Sequence, residues 1–149
     1  MDKRLVVALL AIAAVAYACG PRTHAAERNG QRHETDAIAA VVGKVDVTTA
    51  PVVTFLLEVT NKTGKMVELN FPSAQTHDFA VLDARGREVW RWSKEQMFTQ
   101  VLRNEPLPRG ASVTFSEEWR DAKPGTYTLV ASTVSSNHPL EERTNFTVR

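Results

Sequence analysis

Apolar residues recur at every second position through most of this chain, and that period decides what it can fold into. Val53, Phe55, Leu57 and Val59 alternate with Thr54, Leu56, Glu58 and Thr60. Val67, Leu69 and Phe71 alternate with Glu68 and Asn70, Ala111, Val113 and Phe115 with Ser112, Thr114 and Ser116, and Tyr127, Leu129 and Ala131 with Thr126, Thr128 and Val130. Phe79 shares a side with Val81, as does Phe146 with Val148. In an extended chain, residues i and i+2 lie on one face, so each segment presents one apolar face and one mixed face. The abundance of Val, Thr and aromatic residues suits a pleated, half-buried surface. No stretch carries a strong helical period, and Lys94 to Val101 has room for one helical turn at most.

Turn residues separate these segments. Ala50-Pro51, Asn61-Lys62-Thr63-Gly64, Phe71-Pro72-Ser73, Asp83-Ala84-Arg85-Gly86, Pro106 to Gly110, Lys123-Pro124-Gly125 and Asn137-His138-Pro139 each supply a φ-locked proline, a glycine free to take positive φ, or an Asx-type residue. Asp83 to Gly86 lies between two short apolar runs and predicts a hairpin. Strands at this rhythm predict an all-β fold, an immunoglobulin-like antiparallel sandwich of about 7–9 strands over residues 37–149. The chain has one cysteine, so packing and main-chain ladders must hold the sandwich without an internal disulfide. Phe55, Trp90, Trp92 and Trp119 are the expected heavy contributors to its core, each burying roughly 150–250 Å².

The first residues read differently. Met1-Asp2-Lys3-Arg4 is a short charged start, and Leu5 to Ala18 is an unbroken run of apolar or small residues. As a helix that run reaches only about 20 Å, short of a ~30 Å hydrocarbon core, which fits a secretory signal peptide over residues 1–18 rather than a permanent span. Ala16-Tyr17-Ala18-Cys19 resembles the lipobox of bacterial lipoproteins, and this marks Cys19 as the lipidation site. Several acyl chains on one residue suffice for stable anchoring where a single chain is marginal. The expected location is the bacterial cell envelope, at the outer membrane in a Gram-negative cell. The alternative is ordinary cleavage, leaving a secreted or periplasmic soluble domain. After Cys19, residues up to 36 hold no large apolar side chain and read as a flexible tether whose His24 and His33 are solvated.

Charge and motifs exclude several functions. The chain has 18 Lys and Arg against 17 Asp and Glu, so it lacks the basic excess that nucleic-acid binding requires. There is no CxxC, HExxH, acidic calcium loop or glycine-rich phosphate loop. No metal site or cofactor is therefore expected. Ser73, His77 and Asp78 supply the residue types of a hydrolytic triad, but adjacent strand residues point to opposite faces, which separates a base from the group that would orient it. Catalysis is not expected. Asn61-Lys62-Thr63 and Asn145-Phe146-Thr147 fit glycosylation sequons by coincidence, given a bacterial lipobox.

From Val52 to Thr133 the chain resembles the BsuPI-type domain, a bacterial family named for an intracellular proteinase inhibitor. Asn61, Leu69-Asn70-Phe71, Ser73-Ala74-Gln75, Asp78-Phe79, Val81, Gly86, Val89-Trp90-Arg91-Trp92-Ser93, Phe98, Gln100, Leu107-Pro108, Gly110, Trp119 and Pro124-Gly125-Thr126-Tyr127 follow its pattern in order. Family members often have Gly where Ala74 stands and Tyr where His77 stands. The resemblance implies a protein-binding domain without catalysis, with a serine protease as partner and reversible occlusion as the mode. Its motif residues here are Gln75, Asp78, Phe79, Trp90, Arg91, Trp92 and Trp119. The alternative function is an assembly module of the envelope that binds another envelope protein or a glycan through a sheet edge or loops.

Two irregular stretches are the candidate binding loops, because recognition by a sandwich concentrates in loops. In Lys94 to Arg109, the side chains of Met97, Leu102 and Arg103 are placed to enter a protease cleft, with Phe98 and Val101 expected in the core. In Val134 to Leu140, Asn137 and His138 stand at a polar tip. Trp90 and Trp92, two residues apart, share one strand face and are read as a core layer before an aromatic platform. Arg91 faces the other way, towards a carboxylate such as Glu88, Asp78 or Glu118.

Overall fold

The strictest alternation, in Val53–Asn61, sets the core: Val53, Phe55, Leu57, Val59 and Asn61 are buried, and the residues between them are only half-buried. The computed structural model describes residues 41–149, so the signal segment, Cys19, the tether and the expected domain start at residue 37 lie outside the described residues. Nine strands follow in order. They are β1 (Val41–Thr48), β2 (Val53–Asn61), β3 (Val67–Phe71), β4 (His77–Leu82), β5 (Glu88–Arg91), β6 (Arg103–Leu107), β7 (Ser112–Trp119), β8 (Gly125–Thr133) and β9 (Leu140–Val148). A single 3-10 turn, Trp92–Glu95, follows β5.

All strand pairings are antiparallel. One sheet has the order β1-β2-β7, the facing sheet β5-β4-β8-β9, and a two-stranded ribbon pairs β3 with β6. This is an immunoglobulin-like sandwich. Its sheets interlock through aromatic rings. Phe55 of β2 lies 5.8 Å from Phe79 of β4 and 5.6 Å from Phe146 of β9, centroid to centroid. Phe55, Leu57, Phe79, Val81, Leu129 and Ala131 form the dry centre. Leu69, Phe71 and Leu107 make a second, smaller core beneath the β3–β6 ribbon.

Asp83 to Gly86 does form the β4–β5 hairpin. Gly86 takes φ of 75°, and Asp83 Oδ1 accepts from the Arg85 and Arg87 amides at 2.8 and 3.0 Å. Three details correct the sequence reading. Residues 103–107, read as irregular, are β6, in register with β3 from Phe71↔Arg103 to Val67↔Leu107. That strand buries only Leu107, so no alternation marks it, and Pro106 is tolerated because the ribbon pairs on one edge only. The strand expected to carry Trp92 and Ser93 stops at Arg91, where the backbone tightens into the 3-10 turn. Val101, expected in the core, is exposed.

Candidate functional site

Asp78 faces away from the central core, yet it is 6 % exposed because Arg91 and Ser93 cover it. Its Oδ2 accepts from Arg91 Nη1 at 2.6 Å and from Ser93 Oγ at 2.9 Å, and Oδ1 accepts from the Ser93 amide at 3.2 Å. Arg91 also donates through Nε and Nη2 to Glu88 Oε2, and Lys94 reaches Glu88 Oε1 at 2.7 Å. Those two cations hold the Glu88 carboxyl down to about 2, and Glu88 and Asp78 together push the Arg91 guanidinium further up. The network fastens the 3-10 turn to β4. Gln75 closes the preceding turn locally, its Nε2 donating to the His77 carbonyl at 3.2 Å.

His77 faces inward, between the two sheets. Its imidazole stacks on Trp92 at 4.3 Å and on Phe115 at 4.6 Å, with interplanar angles of 17° and 20°. Nε2 lies 3.1 Å from Glu117 Oε1 and Nδ1 lies 3.0 Å from Thr76 Oγ1. Burial pushes the imidazole below its ordinary value, against the upward pull of Glu117. A neutral ring with its proton on Nε2 satisfies both contacts: it donates to Glu117 and accepts from Thr76. His77 and Asp78 thus bond to separate partners on opposite faces of β4, and Ser73 Oγ accepts from the Gln75 amide. The triad residue types do not form a triad. The Glu117 partnership went unread, although parity along β7 placed that carboxylate on the same face as Phe115 and Trp119.

Trp90 and Trp92 pack against the core and also border a groove. Trp90 packs on Phe55 at 5.7 Å and on Trp119 at 6.1 Å, so it belongs to the core wall. Each of the two rings is also half-buried at the edge of a groove of about 510 Å³ between the 3-10 turn and β7. Thr54, Trp90, Trp92, Trp119 and the Ser116 to Asp121 segment line that groove. Trp90 Nε1 donates to Glu95 Oε1 at 3.1 Å across one end.

The segment after the 3-10 turn combines anchors with exposed apolar groups. Phe98 packs on Trp92 at 5.5 Å, and the Thr99 carbonyl accepts from the Ala74 amide at 3.0 Å. On either side of these anchors Met97 is 100 %, Val101 63 % and Leu102 79 % exposed. Arg103 opens β6 and pairs with Glu105 at 3.1 Å on the same strand. The structure gathers Met97, Leu102 and Arg103 on this one segment. Asn137 and His138 are separate from it. Asn137 Nδ2 donates to the Glu68 carbonyl at 2.7 Å and Oδ1 accepts from the Asn70 amide at 2.9 Å. Asn137 therefore acts as a one-residue extension of the β3 edge, while the His138 carbonyl accepts from Thr133 Oγ1. Among the described residues no three His, Cys, Asp or Glu side chains cluster as a metal site would.

Solved structures with a similar chain trace include the CARDB domain of a Pyrococcus furiosus protein in complex with di-metal ions, at 12 % identity and a TM-score of 0.42, covering 73 % of this chain and 87 % of that one. The alkylpurine DNA glycosylase AlkC of Pseudomonas fluorescens matches at 14 % identity and a TM-score of 0.42, over 74 % of this chain and 30 % of the enzyme. The β-glucuronidase 2 of Bacteroides uniformis matches at 14 % identity and 0.39, over 74 % of this chain and 13 % of that one. No curated protein matches the sequence significantly. Residues 41–138 match the family described as BsuPI, intracellular proteinase inhibitor, across both sheets and the β3–β6 ribbon. With Asp78 and Arg91 joined in one network and Trp90, Trp92 and Trp119 in one wall, the chain belongs to the BsuPI family.

Proposed function

We propose that this protein is a reversible, non-catalytic inhibitor of a serine protease, held at the bacterial envelope by a lipid on Cys19. The observation that carries the inhibitory reading is the 96–102 segment, where fully or largely exposed Met97, Val101 and Leu102 stand on a backbone fixed by Phe98 and Thr99. Exposed apolar side chains fill a cleft favourably, and a pre-fixed backbone lowers the ordering cost of binding. Membership of a proteinase-inhibitor family supports the same reading. The envelope part rests on the Ala16-Tyr17-Ala18-Cys19 sequence alone.

The test is a titration of residues 20–149 into a subtilisin-like serine protease and into envelope proteases of the source cell, following both activity and cleavage of the domain. Saturable inhibition with the domain intact is the expected result. A folded domain that inhibits none of them overturns the proposal. Retention of the full chain in the membrane fraction, and its loss in Cys19→Ala, tests the anchor separately.

A further inference from the structure

All three tryptophans of the chain line one groove. The groove opens between β5 with its 3-10 turn, at the edge of one sheet, and β7, at the edge of the other. Among the described residues no further strand pairs with either edge there. Its lining carries four carboxylates, Glu95, Glu117, Glu118 and Asp121, against one cation, Arg120. Of these, Glu117 is engaged by His77 Nε2 at 3.1 Å, and Glu95 by Trp90 Nε1 at 3.1 Å. Past the Trp90–Trp119 contact, a second recess of about 350 Å³ continues along Val89, Asp121, Lys123 and Tyr127.

Indole faces and carboxylates act with the same sign. The ring face presents negative potential, so a groove walled by tryptophan and rimmed by acids attracts a cation and repels an anion. Among polypeptide cations the guanidinium fits both parts: it is planar, weakly hydrated, stacks on aromatic faces and donates to carboxylates in the same plane. The open sheet edges leave room for the main chain that carries it. We propose that this groove binds an arginine side chain of a partner polypeptide, its guanidinium resting on the tryptophan wall and bonded by Asp121, with Glu118, which pairs with Arg120 at 3.0 Å, adding to the negative rim. The groove borders the 96–102 segment at Gln96, but none of Met97, Val101 or Leu102 lines it, so the inference goes beyond the inhibitory reading and stands or falls without it.

All three tryptophans of the chain border this groove, so their fluorescence reports on it. The full chain, held in mild detergent, is titrated with the peptide acetyl-Ser-Val-Arg-Val-Ser-amide and with the same peptide carrying citrulline, an uncharged near-isostere, in place of arginine. The expected result is a saturable emission change with the arginine peptide and at least about tenfold weaker binding of the citrulline peptide. The carboxamide pair Glu118→Gln/Asp121→Asn, at exposed positions, weakens the arginine peptide about tenfold, and Glu95→Gln provides a second variant on the opposite wall. Equal binding of the two peptides overturns the proposal. So does unchanged affinity in both variants, or silence at millimolar peptide. Saturable binding of cellopentaose with the peptides silent reassigns the groove to a neutral glycan.

Discussion

Asn61 is fully buried, and its carboxamide holds a corner of the fold together. Nδ2 lies within hydrogen-bond reach of the Lys65 and Leu107 carbonyls, each at 2.8 Å, and the Pro108 carbonyl at 3.1 Å, while Oδ1 accepts from the Thr63 amide at 2.9 Å. One side chain thereby ties the end of β2 to the end of β6. Removing it strands several backbone groups away from water, so Asn61→Ala is expected to cost about 3 kcal/mol in urea denaturation. The sequence shows Asn61 as a turn residue and a family position. Its burial could not be read, because the carbonyls it serves come from Leu107 and Pro108, far along the chain. The same burial makes the Asn61 sequon inaccessible in the folded state. His77 gives a second prediction. Its folded-state value lies below the ordinary 6.5, so the unfolded chain takes up a proton before the folded chain does. Stability is then intact above about pH 6.5 and declines as pH falls below it. Glu88, held down from 4.5 to about 2, contributes stability above 4.5 that is lost between those values. The groups facing His77 are Glu117 and Thr76, with Asp78 adjacent. His77→Tyr is expected to flatten the fall of the urea midpoint that begins below pH 6.5 while leaving the decline below 4.5 in place. A variant that keeps the full slope in the upper window assigns it to another group.

Strands whose apolar faces alternate cleanly were legible one by one, and β2, β7 and β8 stand where the pattern predicted, while β4, buried on both faces, was marked only by Phe79 and Val81. Two elements were not read from the sequence, β1 and β6; β6, with one buried, one half-buried and three exposed residues, carries no period to detect. Its partner β3 could be seen, but the pairing is a long-range fact. The candidate site was legible in part for the same reason. Trp90, Trp92, Arg91 and Asp78 could be picked out from their spacing and family pattern. The groove they border depends on how far β5 and β7 stand apart, and that separation is set by the sheets rather than by local sequence. Contact between β1 and β9 closes the other side of the sandwich, and Gly43 permits it. A Cβ at that position would stand 2.5 Å from Leu140 Cδ2 and 2.8 Å from Glu142 Cγ. Gly43→Leu therefore forces the two strands apart, and a loss of about 2–3 kcal/mol is expected by thermal or urea melting. Stability equal to the parent would show that β9 can move aside freely. Next to the opposite edge, on β4, Asp78→Ala leaves the Arg91 guanidinium without its shortest partner and frees the 3-10 turn. A loss of about 3 kcal/mol is expected, with faster amide exchange at Ser93 as the local signature.

At the scale of the whole molecule, a disulfide-free sandwich closes on one side through β1 and β9 and leaves the opposite side, between β5 and β7, aromatic and acidic. The 96–102 segment leaves the 3-10 turn on that open side, fastened by Phe98 and Thr99, and carries its exposed apolar residues ahead of β6. Rigid support with exposed apolar tips is the property an inhibitory segment needs, and it is the reason this segment is preferred over the Asn137 tip, whose polar groups already serve β3. The most direct test compares the parent domain with Met97→Asp/Leu102→Asp in the protease titration, after matched melting curves confirm that both are folded. These side chains make no core contact, so melting should change by less than about 0.5 kcal/mol. Inhibition by the parent, weakened at least about a hundredfold in the double variant, is the predicted result. Equal inhibition by both proteins would place the binding surface elsewhere and contradict the assignment of the 96–102 segment.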